Sequence, residues 1–193
     1  MLFNGPMVRA ILEDRKTVTR RAVKSDWTQS EQAPLETSPG IYHFWCSGER
    51  PCPYGKPGDR LWVREAWATD AQVDAIAPRD LSQGEPIYYA ADGIVRASGS
   101  HMISRGKTRP SIHMPRWASR ILLEVTAVRV ERLHDITDEQ CIAEGCRGGH
   151  GSIPGYRYNA TLQEHFRHVW ESAGGDYFVN PWVWVIEFRR VPA

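Results

Sequence analysis

Two strand patterns in the C-terminal half of the sequence indicate a fold built around a β-sheet. Residues 121–133 alternate between apolar and polar side chains, with a change of phase near Ala127, and 182–188 is the strongest strand pattern in the chain. Shorter strands are predicted at 61–67 and 86–91. With helical patterns between them, these strands predict an α+β fold around a small, closed or nearly closed β-barrel.

Three helices are predicted from the residues at their ends. The first begins at Pro6, which suits a first helical position, and ends near residues 14–15. The second has a capping box made by Thr137 and Gln140 and ends at Gly145, which places Glu144 in its last turn.

The third helix begins after Asn159 or Thr161, runs through Trp170 and stops at the glycine pair 174–175. Its apolar positions recur at helical spacing, which indicates one buried face.

Length and composition favour one globular domain. The chain has 193 residues, of which 41% are hydrophobic and 24% charged, within the ordinary range of folded proteins. We therefore predict a single domain over 1–193, with loop insertions around 25–55 and 69–118, the first holding one strand in the aromatic run 41–45. No apolar run approaches the roughly 18 residues that span a membrane, and the N-terminus lacks a signal pattern, so we expect a cytoplasmic protein with no membrane partner.

The four cysteines are interpreted as free thiols that fill small buried spaces, because they do not form two close CxxC pairs. Cys46 and Cys52 are spaced wrongly for a zinc knuckle with His43, and His165 and His168 share a helix face without a further ligand. We therefore predict no metal site and no cofactor.

Basic residues cluster in two segments although the formal net charge is only +1. Residues 1–25 carry six basic and two acidic groups, and residues 96–132 carry eight basic and two acidic groups. If folding brings the two segments together, they form the footprint of a polyanion. The alternative is that both are ordinary solvated faces.

The run 15–21 joins lysine, threonine and arginine at the end of the first helix. Its β-branched residues favour an extended chain, so the backbone is expected to pass from helix to strand at Lys16. In a regular strand Lys16 and Thr19 point to opposite faces, whereas a corner lets them converge. A catalytic role for both therefore requires a corner.

The order of these patterns resembles the ASCH family, a branch of the PUA-like β-barrels, and in particular its longer members encoded by phages and prophages. The matching segments run from one end of the chain to the other, and they are 16–21, 56–63, 123–128, 136–145 and 182–188, with 115–120 before the long strand. In compact members that hydrolyse N4-acetylcytidine, the resemblance implies a catalytic lysine, threonine and glutamate. Those positions correspond to Lys16, Thr19 and Glu144.

Lysine, threonine and glutamate form a chemically coherent set. A lysine with a pKa lowered from about 10.4 by burial and neighbouring cations can take the proton of a threonine hydroxyl. The end of a helix disfavours a carboxylate, so Glu144 is expected to have a raised pKa and to pass a proton to a leaving amine. The alternative is an ion pair between Lys16 and Glu144 that secures the helix against the strand, with Thr19 as an ordinary strand residue.

Six residues are predicted to contact a nucleic acid or nucleoside. Trp117 stands between Arg116 and Arg120, a pattern suited to stacking a base while arginines bind phosphate, although a core tryptophan with arginines extending to solvent is an equal alternative. The full predicted set is Arg20, Arg21, Arg64, Arg116, Trp117 and Arg120.

Taken together, the sequence predicts a domain that binds RNA or a modified nucleoside, with hydrolysis of an acylated cytosine amide as its most specific chemistry. One alternative is a metal-dependent ribonuclease that cuts single strands. The other is a non-catalytic reader of RNA or of modified bases. Nothing in the sequence identifies a protein partner.

Overall fold

The computed structural model describes residues 1–28, 30–97, 99 and 101–192, and these fall into two compact units. The first unit comprises Met1–Glu13, Leu61–Leu123 and the C-terminal residues from Arg190. The second comprises Asp14–Arg60 and Glu124–Arg189. The single domain over 1–193 stays a prediction. The predicted insertions 25–55 and 69–118 include residues 29, 98 and 100, which lie outside the described residues.

The described residues form an α+β fold with three α-helices, as predicted. The helices are α1 Gly5–Leu12, α2 Asp138–Ala143 and α3 Leu162–Ser172. No helix in the described part of the chain is both long and apolar enough to cross a membrane.

Helix starts follow from local hydrogen bonding. The capping box of Thr137 and Gln140 is confirmed, and Thr161 forms a second one with Glu164 at the start of α3. The prediction that left Asn159 or Thr161 open is therefore resolved in favour of Thr161.

Ten strands among the described residues form three sheets. Their bounds are β1 Val18–Ala22, β2 Leu35–Ser38, β3 Ile41–Phe44, β4 Gly48–Pro51, β5 Arg60–Trp62, β6 Trp67–Ala68, β7 Ile87–Tyr89, β8 Val95–Arg96, β9 Leu122–Arg132 and β10 Trp182–Val191. The main sheet has the order β1-β10-β9-β5, and it curls into half a barrel rather than the closed barrel that was one form of the prediction. Strands β2-β3-β4 and β6-β7-β8 form two antiparallel sheets.

The predicted change of phase in β9 is confirmed. Leu123 and Val125 are buried, Thr126 is exposed, and burial resumes at Val128 in the opposite phase. The carbonyl of Val128 accepts the hydroxyl of Tyr42 at 3.0 Å, which ties β9 to β3 within the second unit.

Residues 25–55 contain more regular structure than the predicted loop insertion with one strand. Strand β3 matches the expected aromatic run, but β2 and β4 flank it. Gly40 and Gly48 adopt φ of 75° and 74°, which permits the tight reversals between these strands. All four residues of β2 are exposed, so no buried alternation reveals this strand in the sequence.

The strand predicted at 61–67 is split into β5 and β6. The intervening residues turn the buried carboxylate of Glu65 toward Arg120, whose guanidinium it binds at 2.9 and 3.0 Å. A buried ion pair at this point replaces the continuous ladder that the apolar pattern suggested.

The core of the second unit lies between the main sheet and helices α2 and α3. Val18 and Val185 pack with the buried residues Leu133, Ile136, Cys141, Cys146, Phe166 and Val183. On the other face of β10, Trp184 meets Tyr42 edge-on at 5.4 Å and Phe44 at 5.8 Å. The first half of β10, from Trp182 to Ile186, is therefore buried on both faces, whereas Arg189 and Arg190 near its end are exposed.

In the first unit, Asp70 holds the 103–104 segment through backbone N–H groups. Its carboxylate accepts from Gln72 at 3.0 Å, from Ile103 at 2.6 Å and from Ser104 at 3.2 Å. The hydrogen bond from Gln72, with those from Ile103 and Ser104, lowers the pKa of Asp70 below its ordinary value, against the opposing effect of burial.

We expect Asp70→Asn to lower the melting temperature at pH 7 and to lose that effect in acid. Because the folded pKa lies below the unfolded one, the stabilisation is fully present above the ordinary pKa of 3.8 and disappears as the pH falls through the folded value. Thermal unfolding from pH 7 down to pH values below 3.8 measures it. Asp80→Asn, at an exposed carboxylate of the same unit, is the control, and equal behaviour of the two variants would refute the assignment.

Candidate functional site

The candidate site lies in the second unit, where the chain enters β1 beside the end of α2. The backbone bend falls at Asp14, whose φ is 55°, and not at Lys16 as predicted. Thr17 already pairs on both sides, because its N–H donates to the carbonyl of Ala143 at 2.8 Å and its carbonyl accepts from Phe188 at 2.8 Å. Lys16 therefore precedes an extended segment instead of forming a corner with Thr19.

Glu144 is placed by the way α2 ends. It follows the last helical residue, and Gly145 then reverses the chain with φ of 95°. The N–H of Cys146 returns to the carbonyl of Cys141 at 3.0 Å, closing the helix end. This leaves both the carbonyl and the carboxylate of Glu144 available to Lys16.

The Lys16 ammonium is surrounded by three acceptors. Nζ donates to the Glu144 carboxylate at 2.5 Å, to the Glu144 carbonyl at 2.9 Å and to the Val18 carbonyl at 2.7 Å. An ammonium has three protons, so each has an acceptor. The cation also lies at the C-terminal end of a helix, where the backbone dipoles favour positive charge.

Both members of this pair are withdrawn from water. Lys16 is 2% exposed and Glu144 is 6% exposed. Burial lowers the pKa of Lys16, and the neighbouring Glu144 carboxylate opposes that shift. Two opposite effects therefore act on the protonation of Lys16, since burial favours the neutral amine and the carboxylate favours the ammonium.

Arg20 extends the pair into a larger network. Its guanidinium donates to Glu144 at 3.3 Å, to Glu131 at 2.5 Å and to Gln140 at 2.8 Å. Arg20 is 4% exposed, and its guanidinium carbon lies 5.8 Å from the centre of the Phe166 ring. One side chain of β1 thus connects α2, β9 and α3.

The network continues along the strands and is balanced in charge. Arg129 pairs with Glu131 at 3.0 Å and contacts Glu187. The network then contains three cations, Lys16, Arg20 and Arg129, and three carboxylates, Glu144, Glu131 and Glu187. A balanced set of this kind is the form in which buried charge is tolerated in proteins. Among the described residues Nε of Arg20 is buried without a hydrogen-bond partner, and Arg129 and Glu187 are partly exposed.

Thr19 lies on the other side of the main sheet. Alternation along β1 gives Val18 and Arg20 one face and Thr19 the opposite face, where it is paired across the ladder with Ile186. Its side chain is buried. The structure thus brings Lys16 and Glu144 together and places Thr19 on the face that does not carry Arg20.

The predicted nucleic-acid contacts are divided between the two units. Arg20 and Arg21 lie on β1 in the second unit, and Arg21 is half-buried opposite Trp184. The other four, Arg64, Arg116, Trp117 and Arg120, lie in the first unit.

Within the first unit these four residues have different surroundings. Arg120 binds Glu65 and Asp92 and stacks on Tyr89 at 3.9 Å, so its charge is already compensated. Trp117 packs partly buried against an apolar cluster.

Two arginines lie near a small cleft of that unit. Arg64 stacks on Trp62 at 4.2 Å and donates to the carbonyl of Ile112 at 3.2 Å. Arg116 is exposed and lines a cleft of about 190 Å³ with Trp62. Arg116 is therefore the predicted contact most accessible to a ligand.

The sequence did not identify four members of the network, namely Glu131, Gln140, Arg129 and Glu187. The available signal for 129 and 131 was that these two charged side chains alternate with valines in the second half of β9. Gln140 was recognised only as a helix cap, and it serves Thr137 and Arg20 at once.

The cysteines differ in part from the prediction. Cys52, Cys141 and Cys146 are buried free thiols, whereas Cys46 is exposed in the turn between β3 and β4 and fills no interior space. Burial raises the pKa of Cys141 to about 11 and that of Cys146 to about 12. Among the described residues, no group of three or more histidine, cysteine or acidic side chains is arranged to hold a metal ion.

Comparison with protein-family models, with curated proteins and with solved structures gives no match for this chain. The ASCH resemblance therefore stays a prediction.

Proposed function

We propose that this chain is an ASCH-type, PUA-like domain that binds RNA or a modified nucleoside, and that it hydrolyses the amide of an N4-acetylcytidine-type base. The observation that carries the proposal is the Lys16–Glu144 pair. Two ionisable side chains 128 residues apart in the sequence meet at 2.5 Å in a buried position. They are two of the three residues that the resemblance implies for catalysis.

Transfer of one proton within this pair creates both catalytic groups. When the proton moves from Nζ of Lys16 to the Glu144 carboxylate, a neutral amine and a neutral carboxylic acid result. The amine takes a proton from the attacking hydroxyl or water, which bonds to the amide carbon. The acid gives its proton to the cytosine nitrogen as the C–N bond breaks. Attack by water leaves acetic acid and cytidine, whereas attack by the Thr19 hydroxyl leaves cytidine and an acetyl ester of Thr19, which water must then hydrolyse to release acetic acid. Burial favours the neutral amine of Lys16 because it disfavours the ammonium, and so lowers the pKa of that group.

Two structural facts define what the mechanism requires. Both side chains are buried, so a substrate reaches them only when the 15–18 segment or the end of α2 moves. Thr19 is on the other face of β1, so it acts as the nucleophile only if that segment also rearranges. Attack by water on the amide is the version that needs the smaller change.

The test is incubation of the full chain with N4-acetylcytidine and measurement of cytidine and acetate. We expect turnover that Lys16→Arg reduces by at least about 100-fold, because arginine keeps the positive charge but does not act as a base at neutral pH. Lys24→Ala, at an exposed lysine of the same unit, is the matched control. Unchanged hydrolysis by Lys16→Arg and Glu144→Gln, with folding checked by circular dichroism, would refute the catalytic assignment.

One observation favours the non-catalytic reader instead. All three protons of Lys16 have acceptors, so the pair as it stands is a saturated structural contact. A reader predicts that ligand affinity survives Thr19→Ala while no ligand is turned over. Labelled single-stranded RNA, incubated with and without a divalent metal, tests the ribonuclease alternative in the same experiment.

A further inference from the structure

The first unit carries a surface cleft between the segments 74–79 and 107–115. Two adjoining hollows of about 380 and 410 Å³ share Ala77, Pro78 and His113 in their linings. Hollows of this size are typical of sites for small organic ligands. None of the residues predicted from the sequence to contact a ligand lines this cleft.

Positive side chains outnumber negative ones in the lining. Lys107, Arg109 and Arg79 are cationic, although Arg79 also lies 3.6 Å from the carboxylate of Asp80, and His113 adds an exposed imidazole. Among the described residues that line the cleft, Asp74 is the one with an acidic side chain. Both of its carboxylate oxygens accept the backbone N–H of Lys107 at 3.0 Å. The cleft therefore attracts anions, because converging charges of one sign raise the local concentration of the opposite sign.

Arg109 is a buried cation without a carboxylate partner among the described residues. It is 5% exposed, and its donors reach the carbonyls of Ile76 at 2.9 Å, Val73 at 3.0 Å and Asp74 at 3.5 Å. Its guanidinium carbon also lies 5.5 Å from the centre of the Trp67 ring. Its Nε is buried and has no hydrogen-bond partner within the described part of the chain. A buried charge that no opposite charge balances is costly, and a bound anion in the adjoining cleft would compensate it.

Lys107 is held by its backbone, which leaves its side chain for a ligand. The N–H of the preceding Gly106 donates to the carbonyl of Thr69 at 2.9 Å. A Cβ atom on Gly106 would lie 2.4 Å from a carboxylate oxygen of Asp74, so a larger residue there requires the Asp74 side chain to shift. The Lys107 side chain is exposed and forms no ion pair with a described residue, and its anchored backbone lowers the entropic cost of binding.

The walls of the cleft are largely apolar. The lining residues that share this property are Ala75, Ile76, Ala77, Pro78, Pro110 and Pro115. A small inorganic ion would leave these surfaces unused, whereas a ligand with an organic group beside its anionic group covers them.

We propose that this cleft binds an organic phosphate. Lys107 and His113 contact the phosphate oxygens, and the guanidinium of Arg109 in the lining balances the phosphate charge. The organic group lies against Ala77 and Pro78. A phosphate offers up to two negative charges and three acceptor oxygens, which suit a lysine and an imidazole that line the same hollow. A free nucleoside monophosphate and the terminal phosphate of single-stranded RNA present this same group. The inference does not depend on the Lys16 site.

Calorimetric titration of the full chain tests the proposal. The probes are cytidine 5′-monophosphate, cytidine, inorganic phosphate, and a short RNA with and without a 5′-phosphate. We expect the monophosphate to bind more tightly than either cytidine or inorganic phosphate. We expect Lys107→Ala and His113→Ala each to weaken that binding about tenfold, the effect of one charge-assisted hydrogen bond. The two RNA probes then show whether the phosphate of a chain or of a free nucleotide is preferred.

Lys56→Ala is the matched control, because it removes an exposed lysine that does not line the cleft. Lys107→Ala keeps the backbone N–H that binds Asp74, and an unchanged melting temperature would verify that the fold is intact. The proposal fails if the monophosphate does not bind at millimolar concentration, if it binds no better than inorganic phosphate, or if Lys107→Ala and Lys56→Ala behave alike. Lys107→Gln, which keeps most of the side-chain volume, replaces Lys107→Ala should that variant be unstable.

Discussion

Glu144→Ala is expected to lower the free energy of unfolding by about 3–5 kcal/mol, the typical cost of removing one partner from a buried ion pair. The change leaves the Lys16 ammonium, which is 2% exposed, with only carbonyl acceptors, and it takes one carboxylate from Arg20. Urea unfolding of the wild type and the variant measures the difference. Because Glu144 follows the last residue of α2, the loss does not arise from a change within the helix itself.

Glu139→Ala is the control, since Glu139 is an exposed glutamate on the same helix. We expect it to cost less than about 1 kcal/mol, as for most exposed substitutions. If both variants lose the same free energy, the buried pair does not stabilise the second unit in the way that the geometry implies.

The double variant Lys16→Met, Glu144→Met separates the pair from its surroundings. Replacing both charges by apolar side chains avoids leaving either one uncompensated, so the double variant should be more stable than Glu144→Ala. With the single variants Lys16→Met and Glu144→Met, the double variant completes a double-mutant cycle. If the two single losses of unfolding free energy add up to the loss of the double variant, the two side chains contribute independently.

Local features of the fold were predictable because they depend on residues close together in the sequence. The capping box of Thr137 and Gln140 and the change of phase after Val125 follow from neighbouring side chains, and the cap at Thr161 was one of the two that the sequence left open. Strands β2 and β4 were not predicted, because they contribute little buried alternation and depend on pairing with β3.

The candidate site, too, was predictable in part from the sequence and in part only from the folded chain. Contact between Lys16 and Glu144 is common to both sequence-based interpretations, and the structure shows it. The position of Thr19 depended on where the chain bends, and the bend at Asp14 leaves Thr19 in an extended segment. A positive φ at an aspartate has no clear sequence signature, since aspartate adopts it only occasionally.

Arg20 illustrates what a linear pattern does not reveal. The sequence placed it in a basic run and suggested contact with a ligand, but its guanidinium is buried and donates to three acceptors from the same chain. Those acceptors lie more than 100 residues away, so the role of Arg20 follows only from the packing of α2 and β9 against β1.

Arg20→Lys is expected to cost about 2–3 kcal/mol although it keeps the positive charge. A lysine ends in one nitrogen and does not reproduce the planar fork with which Arg20 reaches Glu144, Glu131 and Gln140. At least one buried acceptor then loses its donor, at a cost of about 1–3 kcal/mol, and the contact with the Phe166 ring also weakens. Urea unfolding gives the magnitude.

Arg129→Lys provides the matched comparison, because Arg129 belongs to the same network and shares Glu131 with Arg20. Its side chain is 32% exposed, so water can satisfy whatever the lysine leaves unpaired, and we expect a loss below about 1 kcal/mol. Equal losses would mean that the cost comes from charge geometry alone. A larger loss of unfolding free energy for Arg20→Lys would mean that burial makes the contact with three acceptors essential, because water does not reach this position to replace the missing donor.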